Sequence, residues 1–227
     1  MKIDIISAVP DLLHSPLNYS IVKRAREAGL VDIDIIDLRN YALNKYGQID
    51  GYQFGGGAGM VIMVEPLFNC INDLKKITKY DHIIYLTPDG DKFDQGRANA
   101  LSMSENLLLI CGHYKGIDER IREHIVDMEL SIGDYVLSGG ELAAAVIVDS
   151  IVRLVPGVLS DIESALSDSF QDNLLSPPVY SRPAEFNGWS VPEILLSGHE
   201  EKIKEWRLEQ SIKKTGIKRP DLLKKLD

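Results

Sequence analysis

Leu107-Leu108-Leu109-Ile110-Cys111, followed at once by Gly112-His113-Tyr114-Lys115-Gly116, decides how this chain folds. An unbroken apolar run suits a strand covered on both faces, as in the interior of a parallel sheet, where a half-exposed strand would alternate. The glycines just beyond it mark a strand end at which backbone can approach a ligand closely. Upstream, His82-Ile83-Ile84-Tyr85-Leu86 reads as a second strand, ending in Thr87-Pro88-Asp89-Gly90, and Ile3, Ile5 and Ile6 open another near the N-terminus. Val31, Ile33 and Ile35 alternate with Asp32, Asp34 and Asp37, the period of a half-exposed strand. Ser20 is placed to cap a helix carrying Ile21, Val22, Ala25 and Ala28, with Gly29 as its stop, and Leu67, Ile71 and Leu74 mark another helix face. Downstream, Ile117 to Val126 reads as a helix and Leu130–Leu137 as a further core strand. Glu141 to Leu154 reads as a helix apolar nearly all round, stopped by Pro156-Gly157. This alternation predicts an α/β domain with a parallel sheet over residues 1–157.

The texture then changes. Residues 158–176 hold five serines and four acids without a period and read as a linker. Residues 177–227 follow as a small helical domain, with Pro192 starting one short helix and Glu201–Gln210 forming another.

The 227 residues carry 25 Lys and Arg against 34 Asp and Glu, a net charge of −9. That balance speaks against a generic nucleic-acid coat, because phosphate binding is driven by Lys and Arg. It is uneven, however: residues 201–227 carry a net +4 and the first 200 a net −13. Lys213, Lys214, Lys218 and Arg219 supply much of the positive end, which suits either a solvated helix or a basic lobe on nucleic acid. No apolar run reaches the ~20 residues that cross a bilayer, and Met1-Lys2-Ile3-Asp4-Ile5-Ile6 is acidic too early for a secretory signal. Cys70 and Cys111 stand apart in apolar surroundings, as reduced thiols of a cytoplasmic protein do.

Three predicted strands end in loops of small residues: Leu86–Gly90, Cys111–Gly116 and Ser131-Ile132-Gly133-Asp134-Tyr135-Val136-Leu137-Ser138-Gly139-Gly140. Open α/β sheets bind ligands beyond the carboxyl ends of their strands, so three such loops together indicate a ligand crevice. Gly55-Gly56-Gly57-Ala58-Gly59 matches neither a phosphate loop nor a dinucleotide fingerprint and reads as a flexible surface loop. The five histidines are scattered, no cysteine pair has ligand spacing, and no nucleophile elbow occurs. Arg153 ends the long apolar helix, where a cation is favoured by the helix dipole whether or not it is catalytic. Asp168, in Ser167-Asp168-Ser169-Phe170, is by pattern alone one acid among 34.

Taken in order, Gly55–Met60, Cys111–Arg120, Ser131–Leu142, Pro156-Gly157-Val158-Leu159, Asp168-Ser169-Phe170, Tyr180-Ser181-Arg182-Pro183 and Trp206-Arg207-Leu208 resemble the bacterial tRNA (guanine-N1)-methyltransferases of the TrmD type. The resemblance implies a SPOUT fold with a deep trefoil knot, a homodimer whose active sites are shared between subunits, and S-adenosylmethionine as methyl donor. It implies methylation of N1 of guanosine 37, immediately 3′ of the anticodon, when another guanosine precedes it. The alternative is another SPOUT RNA methyltransferase, or a non-catalytic RNA-binding module on the same fold.

By that resemblance Leu86, Thr87, Gly112, Tyr114, Ser131, Ile132, Gly133, Asp134, Tyr135, Val136, Leu137, Gly139 and Gly140 line the cofactor pocket. Asp168 takes the N1 proton as general base, Arg153 faces the charge developing toward O6, and Ser164 lies near the target base. Lys213, Lys214, Lys218 and Arg219 become candidate tRNA contacts, and Mg2+ is implied by the family. Lys115 stands where the family usually has a glutamate that holds the guanine. Lysine cannot accept from the guanine N1–H and N2–H2 edge, so Lys115 is expected to turn to phosphate unless another acid substitutes. Ala58 replaces a common proline.

Overall fold

The computed structural model describes residues 1–159 and 168–224. Its contacts divide the chain into two compact units, Met1–Ser160 and Asp161–Asp227.

The first unit is built on five parallel strands: β1 (Lys2–Ser7), β2 (Asp32–Asp37), β5 (His82–Lys92), β6 (Asn106–Cys111) and β7 (Met128–Ser131). Their order is β2-β1-β6-β5-β7, so the apolar run Leu107–Cys111 lies at the centre and is fully buried. Its side chains alternate between two cores. Leu107, Leu109 and Cys111 pack with Ile3, Ile5, Ile84 and Leu86 under α1 (Asp11–Leu17), α2 (Ser20–Glu27), α4 (Gln95–Leu101) and α6 (Glu141–Val152). Leu108 and Ile110 pack with Ile6, Ile83 and Tyr85 on the other face, under α3 (Val64–Ile77) and α5 (Glu119–His124). β2, at the sheet edge, keeps Asp32 and Asp34 outward with Ile33 buried, the alternation its sequence predicts.

Several local expectations need correction. Ser20 does not cap α2: Tyr19 holds the N-cap position with no side-chain bond, and Ser20 itself has a left-handed φ of +55°. The helix does stop at Gly29, whose φ of +69° suits glycine. The expected helix Ile117–Val126 is only Glu119–His124, because Asp118 caps it by accepting from the Arg120 N–H, and Ile117 instead pairs with Ile62. The strand expected over Leu130–Leu137 runs from Met128 to Ser131, since past Ser131 no neighbouring strand remains and Tyr135, Val136 and Leu137 are exposed.

Two elements were invisible to periodicity. Asp50–Tyr52 (β3) and Met60–Ile62 (β4) form an antiparallel hairpin around the glycine-rich loop. The segment after Leu86 does not end β5 but bulges: Leu86 and Asp91 both stand opposite Leu130, and Thr87–Gly90 arch out between them. Gly90 is required there, since a Cβ would lie 2.7 Å from the backbone at Glu129 and Leu130.

In the second unit, Glu185–Phe186 (β8) and Trp189–Ser190 (β9) form a short hairpin. They precede α7 (Glu193–Leu196), α8 (Glu200–Lys218) and α9 (Pro220–Leu223). Pro192 does start the short helix as its N-cap. The next one outruns the expected Gln210 by two turns because buried Thr215 bonds its hydroxyl back to the Ser211 carbonyl, carrying the polar stretch inside the helix. The same Thr215 oxygen accepts from the Leu175 N–H, and Lys214 Nζ donates to the Ser176 carbonyl. Residues 168–176, the far end of the stretch read as a linker, are thus fastened to α8.

Candidate active site

The carboxyl ends of β5, β6 and β7 open into a cleft of about 470 Å³, within the usual ~300–1,000 Å³ of small-molecule sites. Its walls are the arch Thr87–Asp89, the segment Gly112–Ile117, and the loop Ser131–Gly140 leading into α6. Twelve of the thirteen predicted cofactor residues line it; Asp134 does not and points to solvent.

Backbone contact holds the floor. The Gly140 N–H donates to the Gly112 carbonyl at 2.8 Å, and His113 bridges Gly139 in antiparallel fashion. A Cβ on Gly140 would lie 2.8 Å from Cys111 Cα and 3.0 Å from the Gly112 nitrogen. Beneath Gly139 sits Glu141, 1 % exposed, which accepts from Ser7 Oγ at 2.8 Å and so ties the end of β1 to the start of α6. Its second oxygen, Oε2, has no hydrogen-bond partner and occupies the space that a Cβ on Gly139 would need.

The arch is held by charge. Arg122 grips Glu129 with two bonds of 2.7 Å, reaches Asp89 at 2.9 Å, and lies 5.5 Å from the Tyr85 ring centre. Thr87 Oγ donates to Asp89, and that bond, followed by Arg122, holds the Asp89 carboxyl below the usual range. Burial pushes the Tyr85 phenol up. Asp89, Glu119, Arg122 and Tyr85 line the cleft and were not singled out from sequence. The one available signal was Glu119 and Arg122 at i, i+3 on a short helix.

The wall formed by Gly112–Ile117 meets the glycine-rich hairpin. The Lys115 N–H donates to the Met60 carbonyl at 2.9 Å and the Ile62 N–H to the Gly116 carbonyl at 3.0 Å. Gly59, at φ +97°, lies against the Lys115 stem, where a Cβ would come within 2.9 Å of Cγ. Lys115 is exposed and contributes to the cleft lining.

Arg153 is not among the cleft residues. It forms the C-cap of the twelve-residue α6, whose other end is the cleft floor, and twelve residues of helix span ~18 Å. Asp168 belongs to the second unit, beside a closed turn in which the Phe170 N–H donates to the Leu174 carbonyl and the Ser176 N–H to Ser169 Oγ. Ser164 lies outside the described residues. Lys213 and Lys218 are exposed, whereas Lys214 is the tie to Ser176 and Arg219 makes a two-bond pair with Asp221.

The cleft's mixed lining, with apolar Leu86, Ile132 and Leu137 beside polar and charged side chains, its glycine backbone and its size fit S-adenosylmethionine. A magnesium site does not fit: among the described residues no three His, Cys, Asp or Glu side chains converge, and the two carboxylates that line the cleft, Asp89 and Glu119, turn to Arg122. No helix among the described residues is long and apolar enough to cross a membrane.

A parallel sheet with a glycine-floored cleft at its carboxyl edge defines an α/β protein of the kind whose ligands bind beyond the strand ends. The family described as tRNA (Guanine-1)-methyltransferase TrmD matches residues 1–225. Proteins named tRNA (guanine-N(1)-)-methyltransferase are similar over nearly their whole length. That of Bacteroides fragilis is 61% identical over 98% of this chain and 99% of its own. Those of Bacteroides thetaiotaomicron and Porphyromonas gingivalis are 59% and 57% identical, over 98% and 99% of this chain and 99% and 100% of their own. The chain belongs to the TrmD family of tRNA (guanine-1)-methyltransferases.

Proposed function

We propose that this enzyme transfers a methyl group from S-adenosylmethionine to N1 of guanosine 37, immediately 3′ of the anticodon. The observation that carries the reading is the cleft itself: twelve residues expected from the resemblance gather around one cavity of suitable size. When bound, the cofactor supplies an activated methyl on its sulfonium.

The chain's own residues divide the remaining work. Leu86, Ile132 and Leu137 offer apolar walls for an adenine, and the backbone of Gly112 through Gly140 offers hydrogen bonds without side chains in the way. Guanine N1 holds a proton and cannot attack until it leaves; Asp168 takes it. Arg153 opposes the negative charge growing toward O6, where a fixed cation in a water-poor site is worth most. Lys115, unable to accept from the guanine edge, meets a phosphate. Lys213 and Lys218, exposed on α8, grip the tRNA, with Lys214 and Arg219 adding charge beside them.

We further propose that the loop crossing at Gly112 and Gly140 is part of a deep trefoil knot and that the enzyme is a cytoplasmic homodimer. Two features of the first unit favour the dimer. Arg153 lies a full helix length from its own cleft floor, so an Arg153 that serves a guanine is best supplied by a second copy. Leu142 and Val146, exposed at i and i+4 on α6, give that copy an apolar stripe to cover.

Asp168→Asn is expected to bind S-adenosylhomocysteine as the wild type does while turnover falls at least ~10²-fold, the usual contribution of a general base. Single-turnover methylation of a tRNA with guanosine at that position, with the methylated atom located by mass spectrometry, checks both halves. Unimpaired turnover refutes the base, and a methyl on any atom other than N1 refutes the reaction.

A further inference from the structure

Around the glycine-rich hairpin, two aromatic side chains are almost wholly outside the protein: Tyr52 is 89% exposed and Phe54 99% exposed. Neither ring packs on the fold, so neither contributes burial to its stability. The loop that carries them is nevertheless shaped. Gln53 turns inward and donates from Nε2 to the Gly56 carbonyl at 2.8 Å, and the space beside Gly57 is filled by that same amide. Gly55, Gly56, Gly57 and Gly59 all adopt left-handed φ angles between +78° and +106°. With Gln53 folded in, Phe54 is left standing out at the tip and Tyr52 at the end of β3.

The hairpin is also continuous with the cleft. Met60 and Ile62 of β4 bond to the backbone of Lys115 and Gly116, and the Asp118 N–H returns to the Ile62 carbonyl at 3.1 Å. Lys115 stands at that junction with its stem on Gly59. On the opposite approach to β3, Lys45 lies 5.3 Å from the ring centre of Tyr46, which is itself 81% exposed. Exposed flat rings on a hairpin whose backbone is bonded to the cleft-lining Lys115 segment, in an RNA-modifying family, have the composition of a surface that stacks unpaired bases.

We infer that Tyr52 and Phe54 form a stacking platform for unpaired RNA bases that flank the target guanosine. The inference rests on the tRNA methyltransferase reading and adds to it a base-contacting surface in the first unit, separate from the basic helix of the second. Aromatic stacking tolerates any base, so the platform would hold the anticodon loop open without selecting its sequence.

The test uses the full chain, a tRNA transcript with guanosine 3′ of the anticodon, and the same anticodon stem-loop carrying 2-aminopurine beside that guanosine. Tyr52→Ala and Phe54→Ala are each expected to weaken tRNA binding roughly five- to a hundredfold. S-adenosylhomocysteine affinity and melting temperature should stay at wild-type values. Phe54→Trp should retain tight binding, and the quenching of 2-aminopurine on binding should fall in the alanine variants. The slope of log affinity against log salt should not change, because stacking releases no counterions. Wild-type binding and quenching in the double alanine variant would overturn the inference and leave the methyltransferase reading standing. A loss of self-association in the variants would overturn it in favour of a contact between copies. Failure of the wild-type protein itself to bind or methylate tRNA would overturn the underlying reading as well.

Discussion

Gly140→Ala isolates the claim that backbone contact makes the cleft floor. Gly140 has φ −79° and ψ −7°, values alanine adopts freely, so the substitution carries no conformational strain of its own. All of its cost is steric: the new methyl would sit 2.8 Å from Cys111 Cα, 3.0 Å from the Gly112 nitrogen and 3.2 Å from Cys111 Cβ. Cys111 is on the central strand and 2% exposed, so those atoms have nowhere to retreat. Overpacking of this kind costs about 1–3 kcal/mol, and stretching the Gly140 N–H bond to Gly112 adds about 0.5–1.5 kcal/mol. For a chain of this size the sum corresponds to a melting temperature lower by roughly 3–18 °C. Because Gly112 and Gly140 themselves line the cleft, calorimetric affinity for S-adenosylhomocysteine should fall by at least tenfold. Gly96→Ala is the control: its new Cβ comes no closer than 3.4 Å to another atom, on the Asp94 side chain, and it gains helix propensity inside α4. The reasoning is refuted if Gly140→Ala melts and binds like the wild type, or if Gly96→Ala is equally damaging.

Arg122→Met should cost about 1–2 kcal/mol by chemical denaturation, reduced from a fully buried network by the partial exposure of Glu129 and Asp89. Asp89 is held below its usual range in the fold, so its share of stability is present above the unfolded value of ~3.9 and fades as pH drops through the folded one. The gap between Arg122→Met and wild type should therefore narrow below about pH 4; a constant gap would mean that Arg122 acts through packing on Tyr85. Lys213→Gln with Lys218→Gln should flatten the salt dependence of tRNA binding by nearly two units of slope without touching S-adenosylhomocysteine affinity. An unchanged slope returns those lysines to plain solvation.

The parts of the fold legible in the sequence are those where one side chain's chemistry reports its own position. Leu107–Cys111 reads as a central strand because no surface would tolerate it, and α6 reads as a packed helix because apolar residues occupy nearly every face, although Leu142 and Val146 stay exposed. The β3–β4 hairpin escaped because its strands are three residues long and held by main-chain bonds to the Lys115 segment, which no side chain announces. The arch in β5 escaped for a related reason: Thr-Pro-Asp-Gly is turn chemistry wherever it occurs, and only the pairing of both Leu86 and Asp91 with Leu130 makes it a bulge within one strand. Buried Asp4 was likewise hidden inside an apolar strand pattern; Tyr80 donates to it and Lys2 lies 3.7 Å away. Arg122 was missed because its importance depends on partners from three segments, Asp89, Glu119 and Glu129.

The candidate site shows the same division more sharply. Its loops could be grouped from sequence because glycine clusters at strand ends are visible, but the reason for each glycine is not. Gly59 yields space to the Lys115 stem, Gly90 to the backbone of β7, and Gly140 to that of β6. Three loops can then meet backbone to backbone around one cavity, and the polar groups offered to a ligand are main-chain ones that leave no residue signature. Placed against this floor is the acidic side chain of Glu141, sealed from solvent, with one oxygen committed to Ser7 and the other facing Gly139. Burying a carboxyl is costly, and the bond from Ser7 offsets only part of that cost. This one fixes the end of β1 to the first turn of α6, the helix on which the Gly139–Gly140 floor is mounted. Glu141 can position the Gly139–Gly140 loop without lining the cleft, and no inspection of cleft-lining residues alone would find it.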